Sequence, residues 1–188
     1  EKHHSPTQSL KGKNLIAFSV LLEYLKDFLE YDQICAQKEE IYIESLEKEY
    51  QMTLQIPGVS HSVLFKGSLD RVDKRNGVTH IIDFKTGAVK PTELKLKDWE
   101  DLKDSPEKDK IFQLLSYAAL YGNSHGNEPV KTGIYSFKNT QEGYMFFEDS
   151  LKPSDKSTVE EGAFSEFKEV LIGVVQELFN IEKPFVEK

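Results

Sequence analysis

The residue pair Asn76-Gly77 limits most strongly how this chain can fold, because it lies between two apolar runs. Asn-Gly is the strongest short-range signal for a two-residue β-hairpin turn. The runs at residues 61–72 and 78–84 are therefore predicted to be antiparallel strands. Residues 46–56 fit a third strand, which ends at the turn pair Pro57-Gly58. The middle of the chain is thus predicted to be a three-stranded meander.

Helical patterns lie on both sides of this meander. Residues 14–34 have apolar residues every three or four positions and predict an amphipathic helix. The apolar residues expected to pack are Leu15, Phe18, Leu22, Leu25 and Leu29. A second helix is predicted from near Pro106 to about Tyr121, where Gly122 supplies the stop. A third amphipathic helix is predicted over residues 159–180.

A second hairpin is predicted from residues 130–138 and 143–149, between the last two helices. The order of elements is then helix, three strands, helix, two strands, helix. This order is typical of an α/β protein, and we expect a central mixed β-sheet of about five strands flanked by helices. Residues 90–110 are rich in both lysine and acidic residues, and we expect them to form a mobile, charged excursion.

Length and composition narrow the class of protein. With 188 residues, the chain is long enough for one domain, 1–188, and a start without methionine suggests a fragment of a larger protein with a polar leader at residues 1–13. The single cysteine, Cys35, excludes a disulfide framework within the chain and indicates a reducing, cytoplasmic location. No apolar run is long enough for a membrane span. The net charge of -8 argues against nonspecific binding of polyanions.

Each strand of the first hairpin contains an aspartate where an apolar residue would serve a core better: Asp70 in GSLDRVD and Asp83 in IIDFKTG. Side chains alternate along a strand, so Asp83 and Lys85 project to the same side, with Cα atoms ~7 Å apart. Pairing of the strands can bring Asp70 close to both. A hard divalent cation, Mg²⁺ or Mn²⁺, would remove the repulsion between the carboxylates. The set indicates phosphodiester hydrolysis, although an incidental ion pair on a surface hairpin has the same pattern.

The second predicted helix adds two polar side chains to this set. Gln113 and Tyr117 are four residues apart in KIFQLLSYAALYG and therefore share one helix face. An amide and a phenol aimed at one point could hydrogen-bond a phosphate or hold Lys85 in place. A tyrosine at the edge of the core is the alternative explanation.

The segments GSLDRVD, IIDFKTG and QLLSY, in this order, resemble the PD-(D/E)XK nuclease superfamily. The likeness is to the RecB-like branch, which occurs at the C-terminus of RecB and AddB helicase–nuclease subunits. That branch typically has G-x-x-D-R-V-D, a strand ending in D-Y-K-T-G, and a helix with Q-x-x-x-Y. The resemblance is strong over residues 46–121, and it implies a restriction-endonuclease-like core.

The resemblance also implies a role for each matching residue. Metal binding would fall to Asp70, Asp83 and the main-chain carbonyl of Phe84, and Lys85 would position and activate the water. Gln113 and Tyr117 would support the substrate strand or the lysine. Thr86 and Gly87 match the K-T-G ending, where Gly87 is expected to ease a turn. Glu47 matches a glutamate often found on the first strand of such domains, which makes it a neighbour of the site.

Two features differ from the usual pattern of this branch. Its members usually carry a metal-binding histidine on an upstream helix, whereas residues 14–34 contain none. Many members also continue into a cysteine cluster after a segment resembling residues 181–188. Both differences fit a domain that belongs to a longer protein. The histidines of the chain lie elsewhere: His3, His4, His61, His80 and His125.

The resemblance implies a Mg²⁺-dependent DNA exonuclease that acts in recombination and DNA repair, in a prokaryotic AddB-like protein. Its partners would be DNA and a helicase domain or subunit of an AddAB/RecBCD-like complex. The alternative is a catalytically inactive nuclease-fold module that binds DNA or serves as a scaffold in such a complex. Retention of Asp70, Asp83 and Lys85 favours the enzyme, whereas the absent histidine and the acidic surface favour the scaffold.

Overall fold

The structure of the protein is a computed structural model that describes residues 11–182, except for the side chains of residues 104 and 106. Most of the predicted leader, together with His3 and His4, lies outside the described residues. The chain divides between Lys38 and Glu39 into two compact units.

The described part of the first unit contains one helix, α1, at Lys13–Ala36. The helix is present as predicted, but the five apolar residues expected to pack are 40–56% exposed. No second element of this unit is described that could cover them, so their apolar pattern alone does not produce burial.

The second unit contains a six-stranded sheet in the order β1-β2-β3-β5-β6, with β8 paired to β5. Its strands are β1 Ile41–Leu54, β2 Val63–Arg75, β3 Val78–Lys85, β5 Val130–Ser136, β6 Tyr144–Phe146 and β8 Thr158–Val159. The pair β3 and β5 is parallel and the other pairs are antiparallel, so the sheet is mixed. Two short strands, β4 Lys95–Leu96 and β7 Glu148–Asp149, form a separate parallel pair.

Three helices belong to the same unit: α2 Asp101–Asp104, α3 Asp109–His125 and α4 Glu161–Leu178. One core cluster combines buried residues of the sheet with the buried faces of α3 and α4, including Ile81, Ile134, Leu114 and Phe167. The mixed sheet with flanking helices confirms the predicted α/β, restriction-endonuclease-like class. No helix within residues 11–182 combines the length and the apolar character that a membrane span requires.

The turn between β2 and β3 has the backbone geometry that Asn-Gly predicts. Asn76 has φ of 48° and Gly77 has φ of 83°, and a type I′ turn requires positive φ at both positions. The backbone N–H of Asn76 donates to the carbonyl of Glu40, and the Asn76 side chain accepts from the N–H of Glu40. The turn therefore also ties the start of β1 to the hairpin.

Helix α3 ends four residues later than the sequence predicts. Gly122 lies inside the helix and is buried, and a Cβ there would stand 2.9 Å from Asn127 Oδ1 and 3.3 Å from the Phe164 ring. The stop comes from Gly126, which has φ of 72°. The earlier glycine thus provides space for α4 and does not terminate the helix.

Part of the segment at residues 90–110, which the sequence predicts to be a mobile, charged excursion, packs into the core. It contains a 3₁₀ turn at Pro91–Leu94, then β4 and α2. Leu94, Leu96 and Leu102 are buried in the core. In the sequence, these three leucines are surrounded by charged residues. Composition alone therefore predicts an excursion into solvent.

Candidate active site

Strands β2 and β3 bring Asp70 and Asp83 together. The last regular pair between these strands is Arg71 with Ile82, and one further step along the register places Asp70 opposite Asp83. Asp70 Oδ2 accepts a hydrogen bond of 2.8 Å from the backbone N–H of Phe84, next to Asp83. Asp83 is buried, with 3% of its surface exposed. Two carboxylates therefore lie where the pairing of β2 with β3 ends, in the interior of β2 and near the end of β3; one is buried and one is partly exposed.

The lysine two residues after Asp83 forms an ion pair with it. Lys85 Nζ lies 3.0 Å from Asp83 Oδ2. This oxygen is fully buried and accepts no well-aligned hydrogen bond from any described residue, so the contact is electrostatic in character. The Lys85 side chain is 29% exposed. The ammonium group is thus accessible from solvent on one side while it neutralises the buried carboxylate on the other.

Helix α3 adds Gln113 and Tyr117 to this contact. Lys85 Nζ donates to Gln113 Oε1 at 2.6 Å, and Gln113 Nε2 donates to the Tyr117 hydroxyl at 2.7 Å. An ammonium group can only donate, so the carbonyl side of the amide must face Lys85 and its NH₂ must face Tyr117. The hydroxyl proton of Tyr117 therefore points away from Gln113 and is available to another acceptor.

Burial, together with the charges of the cluster, shifts two pKa values. Burial raises the pKa of Asp83; the ion pair with Lys85 opposes this shift and the nearby charge of Asp70 adds to it. Burial also raises the pKa of Tyr117, against its hydrogen bond with Gln113, and the negative charges of Asp83, Asp70 and Glu47 contribute in the same direction. Three carboxylates are therefore close enough to act on one phenol.

A glycine in β2 allows α3 to come near this cluster. A Cβ on Gly67 would lie 3.1 Å from Leu120 Cδ1 and 3.5 Å from the Tyr117 ring. A larger residue would push against the helix turn that contains Tyr117. Gly67 is the first residue of the motif GSLDRVD. The alternation of side chains along the strand does not predict its contact with α3.

Two further contacts fix the chain where it leaves β3. Ser136 Oγ donates to the carbonyl of Gly87 at 2.8 Å, and Asn139 Nδ2 donates to the carbonyl of Val89 at 3.0 Å. The sequence pattern does not reveal Ser136 and Asn139, because only the parallel register of β3 and β5 brings them here. Gly87 lies in a bend after β3, but its φ is outside the left-handed range and a Cβ there would meet nothing within 4 Å. The bend therefore does not require a glycine.

The donor atoms of the cluster suit a hard cation. Carboxylate oxygens are preferred ligands of Mg²⁺ and Mn²⁺, and the partner of the buried Asp83 Oδ2 is the ammonium group of Lys85 at 3.0 Å. Within residues 11–182, no group of three or more His, Cys, Asp or Glu side chains is arranged as a complete metal site. Asp70 and Asp83 could thus hold a divalent ion that takes its remaining ligands from the main chain, water or substrate.

The three described histidines have other partners. His80 Nδ1 is 3.0 Å from the carbonyl of Val78, and burial lowers the pKa of His80. His125 stacks on the ring of Tyr121 with centroids 3.9 Å apart, and His61 contacts the ring of Phe179. Their contacts agree with the expectation that these histidines lie outside the catalytic cluster.

Comparison with known proteins places the chain in a family. One solved structure, described as "Crystal structure of SSO0001", is similar with a TM-score of 0.41 and 14% identity, over 87% of this chain and 62% of that one. The chain thus spans less than two thirds of the length of that protein. No curated protein matches the chain. The family model of the PD-(D/E)XK nuclease superfamily matches residues 3–187, and the chain therefore belongs to that superfamily.

Proposed function

We propose that this chain is a Mg²⁺-dependent DNA nuclease, with Mn²⁺ as an alternative ion, and that Asp70, Asp83 and Lys85 are its catalytic residues. Membership of the superfamily implies a hydrolase that acts on phosphodiester bonds and typically uses divalent ions. The observation that carries the assignment is that a buried carboxylate, a second carboxylate and an ammonium group lie together where the pairing of β2 with β3 ends.

Each residue has a task in the proposed hydrolysis. The oxygen of a water molecule attacks phosphorus, the bond to the leaving deoxyribose oxygen breaks, the attacking water gives up a proton to solvent, and the leaving oxygen takes one up from solvent. A divalent ion held by Asp70, Asp83 and the Phe84 carbonyl would supply Lewis acidity to the phosphoryl group and lower the pKa of the water. Lys85 orients that water and stabilises the charge that grows on the phosphoryl oxygens. Gln113 holds Lys85, and Tyr117 presents its hydroxyl proton to a phosphate oxygen.

The biological setting is proposed from the resemblance of the three motifs to the RecB-like branch. On that basis the domain acts as an exonuclease in recombination and repair, in the cytoplasm of a prokaryote, beside a helicase domain or subunit. The likeness extends over residues 46–121, and the motif residues Gly67, Asp70, Asp83, Lys85 and Gln113 all take part in the cluster or its packing.

The rival proposal is an inactive nuclease-fold module that binds DNA or serves as a scaffold. The net charge of -8 favours it, since bulk charge then opposes DNA binding. The ion pair between Lys85 and the buried Asp83 favours the enzyme, because burying a charged pair is costly and a scaffold gains nothing from it.

A thermal-shift titration with MgCl₂ or MnCl₂ tests the metal site. We expect the wild-type melting temperature to rise with the concentration of either ion, since a ligand that binds only the folded state stabilises it. Asp83→Asn should abolish this rise. The matched control is Glu49→Gln, which removes an exposed carboxylate from the neighbouring strand. Absence of a shift in the wild-type protein, or an equal shift in Asp83→Asn, would refute the site.

Cleavage assays then separate the two functions. An enzyme is expected to degrade DNA in the presence of Mg²⁺ and to lose this activity in Lys85→Ala, whereas a scaffold cleaves nothing in either form. Lys66→Ala, which removes an exposed lysine from β2, serves as control. An exonuclease further requires that linear DNA is degraded while covalently closed circles stay intact. Cutting of closed circles would show endonuclease activity and would contradict the proposed exonuclease.

A further inference from the structure

A cavity with a volume of about 300 Å³ opens between the end of β1, the last turns of α3 and the first turns of α4. We call it the α3–α4 cavity. Its lining contains none of the residues assigned to the proposed catalytic cluster. Sites for small molecules have volumes of about 300–1,000 Å³, so this cavity suits a ligand at the small end of that range. It is therefore a candidate site that is separate from the proposed catalytic one.

The end of α3 forms one wall of this cavity. Gly126 and Asn127 have positive φ, 72° and 56°, and they turn the chain back over the helix. The backbone N–H of Asn127 donates to the carbonyl of Gly122 at 2.9 Å. Asn127 Oδ1 lies 2.9 Å from the position that a Cβ on Gly122 would occupy, and the Phe164 ring lies 3.3 Å from the same position. The amide of Asn127 and the ring of Phe164 therefore converge at the bare backbone of Gly122.

The α3–α4 cavity has an apolar floor and a polar mouth. Buried or partly buried apolar side chains form the floor: Met52, Leu54, Phe164 and Phe167. Exposed polar side chains lie at the mouth: Asn123, Asn127, Ser165 and Lys168. The side chain of Asn127 makes no hydrogen bond with another residue of the described part of the chain, so its donors and its acceptor are available. An apolar surface with a few polar groups that orient the ligand is typical of small-molecule sites.

The charge of the cavity favours an anion. Lys168 forms no ion pair with any residue between positions 11 and 182. No acidic side chain lines the cavity, although the chain has 32 acidic residues. Two larger clefts differ in this respect, because carboxylates line both: Glu142 and Glu148 in one, and Glu128 and Asp155 in the other. An ammonium group at a mouth without carboxylates attracts negative charge.

We propose that the α3–α4 cavity binds a small organic anion that combines one flat ring with one phosphate or carboxylate group. The ring packs against the apolar floor beside Phe164, its polar edge hydrogen-bonds the amide of Asn127, and its anionic group pairs with Lys168. A nucleoside monophosphate and an aromatic carboxylate both have this chemistry; a carboxamide matches the donor and acceptor edge of a base. The inference is independent of the proposed nuclease function, because no residue of the catalytic cluster takes part in it.

An NMR titration of the ¹⁵N-labelled protein in EDTA tests the site directly. The probes dAMP and phenylpropionate have both a ring and an anionic group, whereas deoxyadenosine lacks the anion and deoxyribose phosphate lacks the ring. We expect dAMP or phenylpropionate to shift the amide resonances of Gly122 and Gly126, with a dissociation constant of roughly 0.1–1 mM. The amide of Gly67, which packs beside the proposed catalytic cluster, should not shift. Deoxyadenosine and deoxyribose phosphate should each bind at least about tenfold more weakly. The tighter of the first two probes identifies the source of the anion.

Two variants test the groups that hold the ligand. Lys168→Gln should weaken binding of the tighter probe about tenfold, because it removes the charged partner of the anion. Asn127→Gly suits the positive φ at that position and should weaken binding about fivefold through loss of the amide. The control is Lys74→Gln, which removes an exposed lysine of β2 and should leave the affinity unchanged.

Three results would overturn the inference. The first is that neither dAMP nor phenylpropionate shifts Gly122 and Gly126 at concentrations up to about 5 mM. The second is wild-type affinity in both Lys168→Gln and Asn127→Gly. The third is that deoxyadenosine binds as tightly as dAMP, because the anion would then contribute nothing. Since the titration contains EDTA, none of these results depends on the metal site or on cleavage of DNA.

Discussion

Removal of the ammonium group of Lys85 should destabilise the protein through Asp83. The two charges are 3.0 Å apart, which corresponds to about 5–6 kcal/mol at an effective dielectric constant of roughly 20. Lys85 is 29% exposed, so solvent already screens part of this energy. Breaking a buried pair typically costs about 3–5 kcal/mol, and the exposed side of this pair lowers the expectation to about 2–3 kcal/mol.

Lys85→Met keeps the aliphatic stem and removes only the charge, which makes it the appropriate variant. For a domain of this size, about 2–3 kcal/mol corresponds to a fall in melting temperature of roughly 5–10 °C. The melts are measured in EDTA at pH 7. Lys66→Met is the matched control, because Lys66 is exposed and its ion pair with Glu49 contributes little.

The deficit of Lys85→Met should depend on pH. The pKa of Asp83 is raised on folding, so the folded state binds this proton more tightly and loses stability as the pH rises through that pKa. Loss of Lys85 raises the folded pKa further, and the loss of stability above it becomes larger. The melting temperatures of the two proteins should therefore converge as the pH is lowered from 7 toward 5.

The double variant Asp83→Asn/Lys85→Met completes the test. An uncharged amide at position 83 no longer needs a cation, so the double variant should melt well above Lys85→Met at pH 7. Mg²⁺ should also stabilise Lys85→Met more than the wild-type protein, because the ion replaces the missing positive charge. The reasoning is refuted when Lys85→Met melts like the wild type, or when Asp83→Asn fails to restore stability in its background.

Two further predictions concern packing outside the site. Gly133→Ala should lower the melting temperature by roughly 5–10 °C, because a Cβ would stand 2.6 Å from the Met145 carbonyl oxygen; Gly87→Ala, with nothing within 4 Å, should melt like the wild type. Tyr121→Phe should cost about 1–2 kcal/mol in urea unfolding, since the hydroxyl donates to Glu44 at 3.0 Å and burial raises the pKa of Tyr121 to about 12. Mn²⁺ affinity should remain unchanged in Tyr121→Phe, and a change would contradict the separation of this contact from the site.

The features of the fold that follow from the sequence are those with local causes. Asn76-Gly77 determines its own turn, and the turn determines which residues of β2 and β3 are opposite each other. The proximity of Asp70 and Asp83 could be predicted for this reason. The spacing of Gln113 and Tyr117 on α3 is local as well, although their contact with Lys85 depends on how the helix crosses the sheet.

The features that the sequence does not reveal depend on distant partners. A glycine at position 122 predicts the end of a helix. Gly122 nevertheless lies inside α3, where Phe164 on α4 occupies the space that a side chain would fill. Leu94, Leu96 and Leu102 are surrounded by charges in the sequence and become core residues through contacts with other elements. The positive φ of Glu47 inside β1 and the register shift between Ile43 and Ser45 have no pattern in the sequence either.

The balance of charges in the cluster bears on how the proposed enzyme would meet DNA. Asp70 and Asp83 place two carboxylates near the ammonium group of Lys85, and the chain as a whole is acidic too. Without a cation, this face would repel a phosphodiester. One divalent ion would more than offset the remaining negative charge of the cluster and would offer open positions to phosphate oxygens. The ion and the DNA would then favour each other's binding, because each reduces the electrostatic cost that the other would face alone.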